Sequence, residues 1–325
     1  MSVFLSGLSA VLSPSQAEDV RVSGARFIAA NGSPFPWRGI TAFRLLEFVA
    51  HGHQPQAAAY LDWAASQHLT VVRVLAMAHV LFTLTPADGE RALPSLLKLA
   101  GQRGLVVEIV ALADTASYPI DLARHVRAIG RTCAAAGNCI IEIANEPYHP
   151  TQSAAVHDHS TLRRLRAQIP STVPVSLGTL DDGGELAAGD YVTWHSPRDG
   201  DWPERMREGA DLLRRYAKPV IADEPMGAAD HAVPGRRDNV PEHFAAAARI
   251  ARESGIGATF HYEGGLQSRR PTPTEAACLA AWMRELTAAR GRASPAVVGG
   301  LYAPPLRRPV KGRPTIEPLD RRPLL

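Results

Sequence analysis

Several patterns are missing from this sequence, and each absence removes a class of protein. No run of about 18 apolar residues occurs, so a membrane-spanning helix is not expected. No Lys or Arg precedes Arg21. The mildly apolar stretch Val3 to Leu12, with a cleavage-like Ser13 to Ala17 after it, therefore lacks the positive flank of a secretory signal, and a cytoplasmic location is favoured over secretion. The three cysteines, Cys133, Cys139 and Cys278, are odd in number and lack metal-ligand spacing. Buried thiols are expected, Cys133 on a helix and Cys139 on a core strand, with nothing that needs an oxidising compartment. A formal charge of +3 over 325 residues gives no basis for a nucleic-acid partner. Aromatic residues make up only 6% of the chain.

What is present is globular in character: 46% hydrophobic and 21% charged residues. Residues 1–20 read as an extension, and the hairpin signal Asn31-Gly32 closes an alternating stretch from Val20 to Ala30. From Pro36 onward, short apolar runs alternate with helical spacing. Strands are expected over Pro36–Phe43, Thr70–Ala76, Gly104–Leu112, Cys139–Ala144, Val173–Leu177, Tyr191–His195, Lys218–Glu224 and Gly257–His261. The intervening helices are Ala57–His68, Leu93–Arg103, Asp121–Ala136, Ser160–Gln168, Trp202–Tyr216, Pro241–Ser254 and Pro273–Arg290. One helix is missing, where Gly178 to Asp190 is short and Gly-rich. Near-strict alternation argues for a parallel sheet, and eight strands in about 260 residues argue for a closed (β/α)8 barrel, the TIM-barrel form of the α/β class. A doubly wound nucleotide-binding sheet would carry G-x-G-x-x-G after its first strand, and none is there. The barrel is assigned to residues 21–290. The Pro- and Arg-rich stretch 291–325 has no periodicity and reads as a tail.

In such a barrel the carboxyl ends of the strands converge on one face, where chemistry is done. The polar residues at the expected strand ends are Asn145 and Glu146 after the fourth strand and His195 after the sixth. Glu224 follows the seventh, His261 and Glu263 the eighth, and Arg73 lies within the second. Pro147 biases Glu146 away from right-handed helical geometry, leaving its carboxylate at a strand tip. Two carboxylates from opposite sides of a barrel fit glycoside hydrolysis, one protonating the leaving oxygen and the other attacking or activating water. Arg73 is mid-strand, where an unpaired charge is expensive, so it needs a buried partner, and Glu224 is the expected one.

These residues carry a resemblance. Asn145-Glu146-Pro147, with a glutamate closing Lys218-Pro-Val-Ile-Ala-Asp-Glu224 about 80 residues later, resembles the retaining glycoside hydrolases of clan A, cellulase-like family five in particular. Gly32-Ser-Pro-Phe-Pro-Trp-Arg-Gly39, Val72-Arg73-Val74 and His195 extend the likeness over roughly residues 25–290. The resemblance implies Glu146 as acid/base, Asn145 on the sugar 2-hydroxyl, and Glu224 as nucleophile, positioned and kept ionised by Arg73, with His195 lining the site. It implies an oligo- or polysaccharide substrate and no cofactor or metal. Departures are visible: Pro197 stands where a tyrosine is common, and Phe260-His261-Tyr262-Glu263-Gly264-Gly265 where a sugar-stacking tryptophan is. Pro225-Met226-Gly227 replaces an aromatic and a glycine.

Plainer roles stand beside these. Glu146 and Glu224 could be carboxylates at helix N-termini. Trp37 and Trp194 stack on sugar or fill the barrel. Tyr148 and His149 form a subsite wall or a surface. His261 and Glu263 line the site or belong to a loop ended by Gly264-Gly265. Arg198, Asp199, Gly200 and Trp202 lie in or after the loop following the sixth strand. A barrel that binds carbohydrate without cleaving it is a second class of function. A third, a metal-dependent barrel hydrolase, rests on His51-Gly52-His53. That motif ends no strand, and the three lysines, Lys98, Lys218 and Lys311, leave none for the fourth strand.

Overall fold

Each barrel strand is a short apolar run whose alternate side chains have opposite tasks. The computed structural model describes residues 19–179, 188–196 and 201–288. The extension up to residue 18, residues 197–200 (Pro197, Arg198 and Asp199 among them) and the tail from 291 lie outside the described residues. The chain enters through an antiparallel hairpin, β1 (Arg21–Ser23) and β2 (Arg26–Ile28). The next strands are β3 (Arg38–Thr41), β4 (Val71–Leu75), β5 (Val106–Leu112) and β6 (Cys139–Ala144). They are followed by β7 (Val175–Ser176), β8 (Val192–Trp194) and β9 (Val220–Ala222). A small parallel pair, β10 (Gly227–Ala228) and β11 (Arg237–Asp238), precedes the last strand, β12 (Gly257–Phe260).

Eight of these strands form one sheet in the order β7-β6-β5-β4-β3-β12-β9-β8, parallel throughout. The pairing of β12 with β3 joins the last strand to the first, as a barrel requires. Between β7 and β8 one side-chain pair and one backbone bond complete the circle. The Ser176 and Thr193 hydroxyls meet at 2.9 Å, and the Asp190 N–H donates to Val175 O at 2.6 Å.

The helices are α1 (Leu45–Ala50), α2 (Gln54–Ser66), α3 (Pro86–Gly101), α4 (Leu122–Ala136), α5 (Ala154–His157) and α6 (His159–Arg166). They continue with α7 (Trp202–Tyr216), α8 (Pro241–Ser254), α9 (Glu263–Leu266) and α10 (Pro273–Thr287). Their starts are chemically marked. The Asp121 side chain accepts the Arg124 N–H at the head of α4, and Thr272 and Glu275 form a reciprocal capping box on α10. None of the described helices is long and apolar enough to cross a membrane.

Outward-facing strand residues such as Val72, Val74, Val107 and Ile109 pack under the helices in the main core. Inward-facing Val71, Val106, Ile140 and Ile221, near the amino ends of their strands, form a second cluster with Val20, Phe27, Trp37 and Tyr191. The hairpin and Trp37 thus plug the barrel's amino-terminal end. Full burial of each large apolar side chain contributes roughly 1.5–3 kcal/mol.

Three expectations need correction. The hairpin turns at Gly24-Ala25, where Gly24 takes φ +55°; the Asn31-Gly32 turn only brings Pro34 back to bridge Ile28. Helix α3 begins at Pro86 rather than Leu93, because Thr85 caps it and Pro86 sits at its first position, where the missing N–H costs nothing. Cys133 and Cys139 are not free thiols. The Gly137 turn brings α4 back onto β6, and their sulfurs form a disulfide, leaving Cys278 as the free cysteine among the described residues.

Candidate active site

One layer above the apolar plug, the barrel interior becomes polar. Counting by twos from the inward apolar residues gives Arg73 on β4, Glu108 on β5, Glu142 on β6 and Asp223 just after β9, all fully buried. The register supports this placement: Thr41 lies opposite Arg73, and Arg73 opposite Glu108. A charged group in a dry interior must be paired, and Arg73 meets that demand for several carboxylates at once. Its Nη1 donates to Glu224 at 2.7 Å, the expected partner. Nε and Nη2 both donate to one oxygen of Glu142, at 3.0 and 2.7 Å. Nη2 also reaches Asn145 Oδ1 at 3.0 Å, and the guanidinium lies over the Phe43 ring, 5.3 Å from its centroid.

The two strand-end glutamates come together above this layer. A carboxylate oxygen of Glu146, a ring nitrogen of His195 and a carboxylate oxygen of Glu224 all lie within 4.8 Å of one another. His195 spans the site, with Nδ1 3.4 Å from Glu146 and Nε2 3.4 Å from the Arg73 guanidinium. Burial works against a charge on His195, but Glu224 and Glu146 outweigh it, so the imidazole titrates above its ordinary value. Glu146 takes φ +42°, in the left-handed region that costs a non-glycine residue of order 1–2 kcal/mol. Its loop is pinned by Gln152, whose amide donates to Asn145 O at 2.7 Å and to Leu112 O at 3.1 Å. Tyr148 stands at the rim, exposed, with its hydroxyl 3.4 Å from Glu146.

Other candidates separate. His261 is inward and buried, its Nδ1 bonded to the Thr41 hydroxyl at 2.9 Å. Glu263 turns to Arg237 at 3.0 Å, beside β11 rather than toward the carboxylate pair. Gly264 and Gly265 are needed where they stand, because a Cβ on either would press into the Tyr262 ring. Trp194 is a correction: Thr193 and His195 face inward, so Trp194 faces out, against Gly209 of α7. Trp37 packs in the plug and donates to Thr259 Oγ1 at 3.2 Å. The His149 ring turns to Thr151, and Trp202 packs edge-on against Phe244. His51 pairs with Glu47 within α1 and its cap, so the H-x-H motif is surface structure.

Glu142, His195 and Asp223 also offer donor atoms within 4.8 Å of one another. The Arg73 guanidinium already occupies that space, bonded to Glu142, 3.4 Å from His195 and 3.9 Å from Asp223. These side chains are partners of the guanidinium, and a metal ion would have to displace it. Glu108, Glu142, Asp223 and Gln152 were not singled out in the sequence. The mid-strand charge argument applied to Arg73 finds the first two in Val-Val-Glu-Ile-Val and Ile-Ile-Glu-Ile-Ala.

No protein-family model and no curated protein matches the chain. Solved structures do match. A β-glucanase from Saccharophagus degradans, in complex with cellotetraose, superposes with a TM-score of 0.61 at 13% identity, covering 87% of this chain and 98% of that one. A β-mannanase from Thermomonospora fusca gives 0.60 at 14%, covering 84% and 98%. A candidate glycoside hydrolase from Bacteroides vulgatus gives 0.60 at 16%, covering 79% of this chain, which spans 57% of that one. The fold is the eight-stranded barrel of these proteins.

Proposed function

We propose that this chain is a retaining glycoside hydrolase that cleaves β-linked glycans by double displacement. The observation that carries this reading is the approach of one carboxylate oxygen of Glu146 to within 4.8 Å of one of Glu224 at the carboxyl end of the barrel, which leaves little room for a water between them. A spacing of roughly 5 to 5.5 Å between carboxyl groups suits attack by one of them, whereas inversion needs roughly 6.5 to 9.5 Å for an intervening water. Arg73 favours the ionised, correctly aimed form of Glu224, which attacks the anomeric carbon. Glu146, partly open to solvent and in touch with His195 and Tyr148, gives its proton to the departing oxygen. It then takes a proton from the water that releases the sugar from Glu224. Asn145, held by Arg73, is set to meet the sugar 2-hydroxyl.

The barrel neighbours include a β-glucanase and a β-mannanase, so β-glucans and β-mannans are the first substrates to offer. The test is a panel of aryl β-glycosides and these polymers, with the product anomer read by proton NMR. Initial release of the β-anomer supports the reading; initial release of the α-anomer refutes it. A binding barrel without turnover is favoured by one observation: Tyr262, near the missing strand-eight tryptophan, is buried against Tyr60 and Arg269 and offers no stacking face. If oligosaccharides raise the melting temperature and none is cleaved, that second reading replaces the first.

A further inference from the structure

The layer beneath the Glu146–Glu224 pair holds more acid than its base can balance. Among the described residues, Arg73 is the one guanidinium there. Facing it are Glu142 and Glu224, which take its N–H bonds, and Glu108 and Asp223, which do not. Among the described residues, Glu108 receives only the phenol of Tyr191, at 2.9 Å, and Asp223 only the hydroxyl of Thr259, at 3.0 Å. Asp223 stands 3.9 Å from the guanidinium. Three carboxyl oxygens in this layer, Glu108 Oε2, Glu142 Oε1 and Asp223 Oδ2, have no hydrogen-bond donor among the described residues, and all three residues are fully buried. With every carboxyl ionised, four negative charges would face one guanidinium and His195 in a region closed to water. Each uncompensated charge there costs several kcal/mol.

We propose that the barrel interior keeps two protons in mildly acid solution, one on Glu108 and one on Asp223, and that these neutral carboxyls act as positioning residues that leave Arg73 to Glu142 and Glu224. A protonated carboxyl carries no charge and needs no cation of its own, so the two protons remove the demand that Arg73 alone could not meet. The direction of titration agrees. Burial and then Asp223 push Glu108 well above the carboxylate range, against the pull of Arg73, with Glu142 adding to the rise. Burial pushes Asp223 up to about 7, although Arg73, His195 and the Thr259 hydroxyl act the other way and Glu142 adds to the rise. Tyr191, pushed up by burial and by Glu108, stays a phenol and a donor.

The proton inventory is separable from glycan cleavage, because it is read on the folded protein without substrate. Asp223→Asn and Glu108→Gln copy the neutral forms. Infrared difference spectra of each variant against wild type at about pH 6, below the Asp223 midpoint, should show loss of one protonated-carboxyl band. Urea unfolding gives the second readout. A carboxyl whose folded pKa is raised above its unfolded value binds its proton more tightly in the native state. Stability is therefore lost as pH climbs from about 4 to about 7. Across that window the unfolding constant of wild type relative to Asp223→Asn should rise by up to about tenfold per pH unit. A third readout rests on the proposed glycosidase activity: the alkaline limb of the rate profile should move to higher pH in Asp223→Asn, since ionised Asp223 competes with Glu224 for Arg73. Absence of a protonated-carboxyl band in wild type, or parallel stability curves for wild type and Asp223→Asn, overturns the proposal whatever the protein cleaves. If either variant fails to fold, the infrared spectrum of Glu146→Gln, which lacks the proposed acid's own proton, decides between neutral and ionised interior carboxyls.

Discussion

Arg73→Met is the most informative single change, because the structure fixes how much is lost. The side chain is fully buried, and its N–H groups serve Glu142 twice, Glu224 once and Asn145 once. Methionine fills much of the volume but supplies neither the charge nor a donor. Two carboxylates then remain in a dry interior without their cation, a loss of about 3–5 kcal/mol when a buried pair is broken from one side. The cation–π contact with Phe43 adds about 1–2 kcal/mol. Against a total of about 5–15 kcal/mol for a folded domain, this is a third or more of the stability. Urea unfolding at pH 7, followed by the fluorescence of the five tryptophans, measures it as a lower midpoint at unchanged slope. The cause is tested by adding Glu142→Gln. If the damage in Arg73→Met is a stranded charge, neutralising Glu142 should recover about 1–3 kcal/mol, the desolvation cost of an unsatisfied group. A loss under about 1 kcal/mol in Arg73→Met, or a double variant less stable than the single one, would refute the reasoning.

Four further outcomes are expected. Glu224→Gln should abolish turnover of every substrate, measured as product release. Glu146→Gln should slow substrates with poor leaving groups by about 10²–10⁴-fold and activated aryl glycosides far less; equal losses across leaving groups would sink its role as the acid. Gly89→Ala should destabilise by about 1–3 kcal/mol in urea unfolding, because its Cβ would be driven into the backbone carbonyl of Ala76, where α3 crosses the end of β4. Thr272→Ala should cost about 0.5–2 kcal/mol in the same assay, through loss of the α10 capping box.

Much of this architecture was legible because it rests on local chemistry. Strand β6 and helices α7 and α8 fall where apolar runs, Asp201 and the prolines Pro203 and Pro241 put them. The site was legible where a residue announced itself against its background: an amide and a carboxylate before Pro147, an arginine inside an apolar strand, a glutamate at a strand end. What stayed hidden depends on facing and on distance along the chain. Trp194 and His195 are adjacent in sequence and opposite in direction, so one lines the barrel and the other packs on α7. Glu108 and Glu142 read as interruptions in apolar strands until the register sets them beside Arg73. The disulfide joins residues six apart, but only the Gly137 turn makes them meet. The hairpin failed for a similar reason: two turn signals compete within a dozen residues, and packing of Phe27 on Trp37 decides between them.

The two carboxylates gain different tasks from different supports. Glu224 is an extension of the rigid interior, fixed by a guanidinium that is itself fixed by Glu142, so its direction is set before any ligand arrives. Glu146 sits on the opposite arrangement. Its backbone is held at φ +42° between Asn145 and Pro147, and Pro147 removes the right-handed helical alternative into which the strain would otherwise relax. Gln152 then holds the strand tip through two carbonyls, one on β5 and one at Asn145. The side chain reaches His195, Tyr148 and solvent. Under the proposed double displacement the nucleophile needs aim and the proton donor needs exchange with water, which suits the rigid carboxylate below and the open one at the rim.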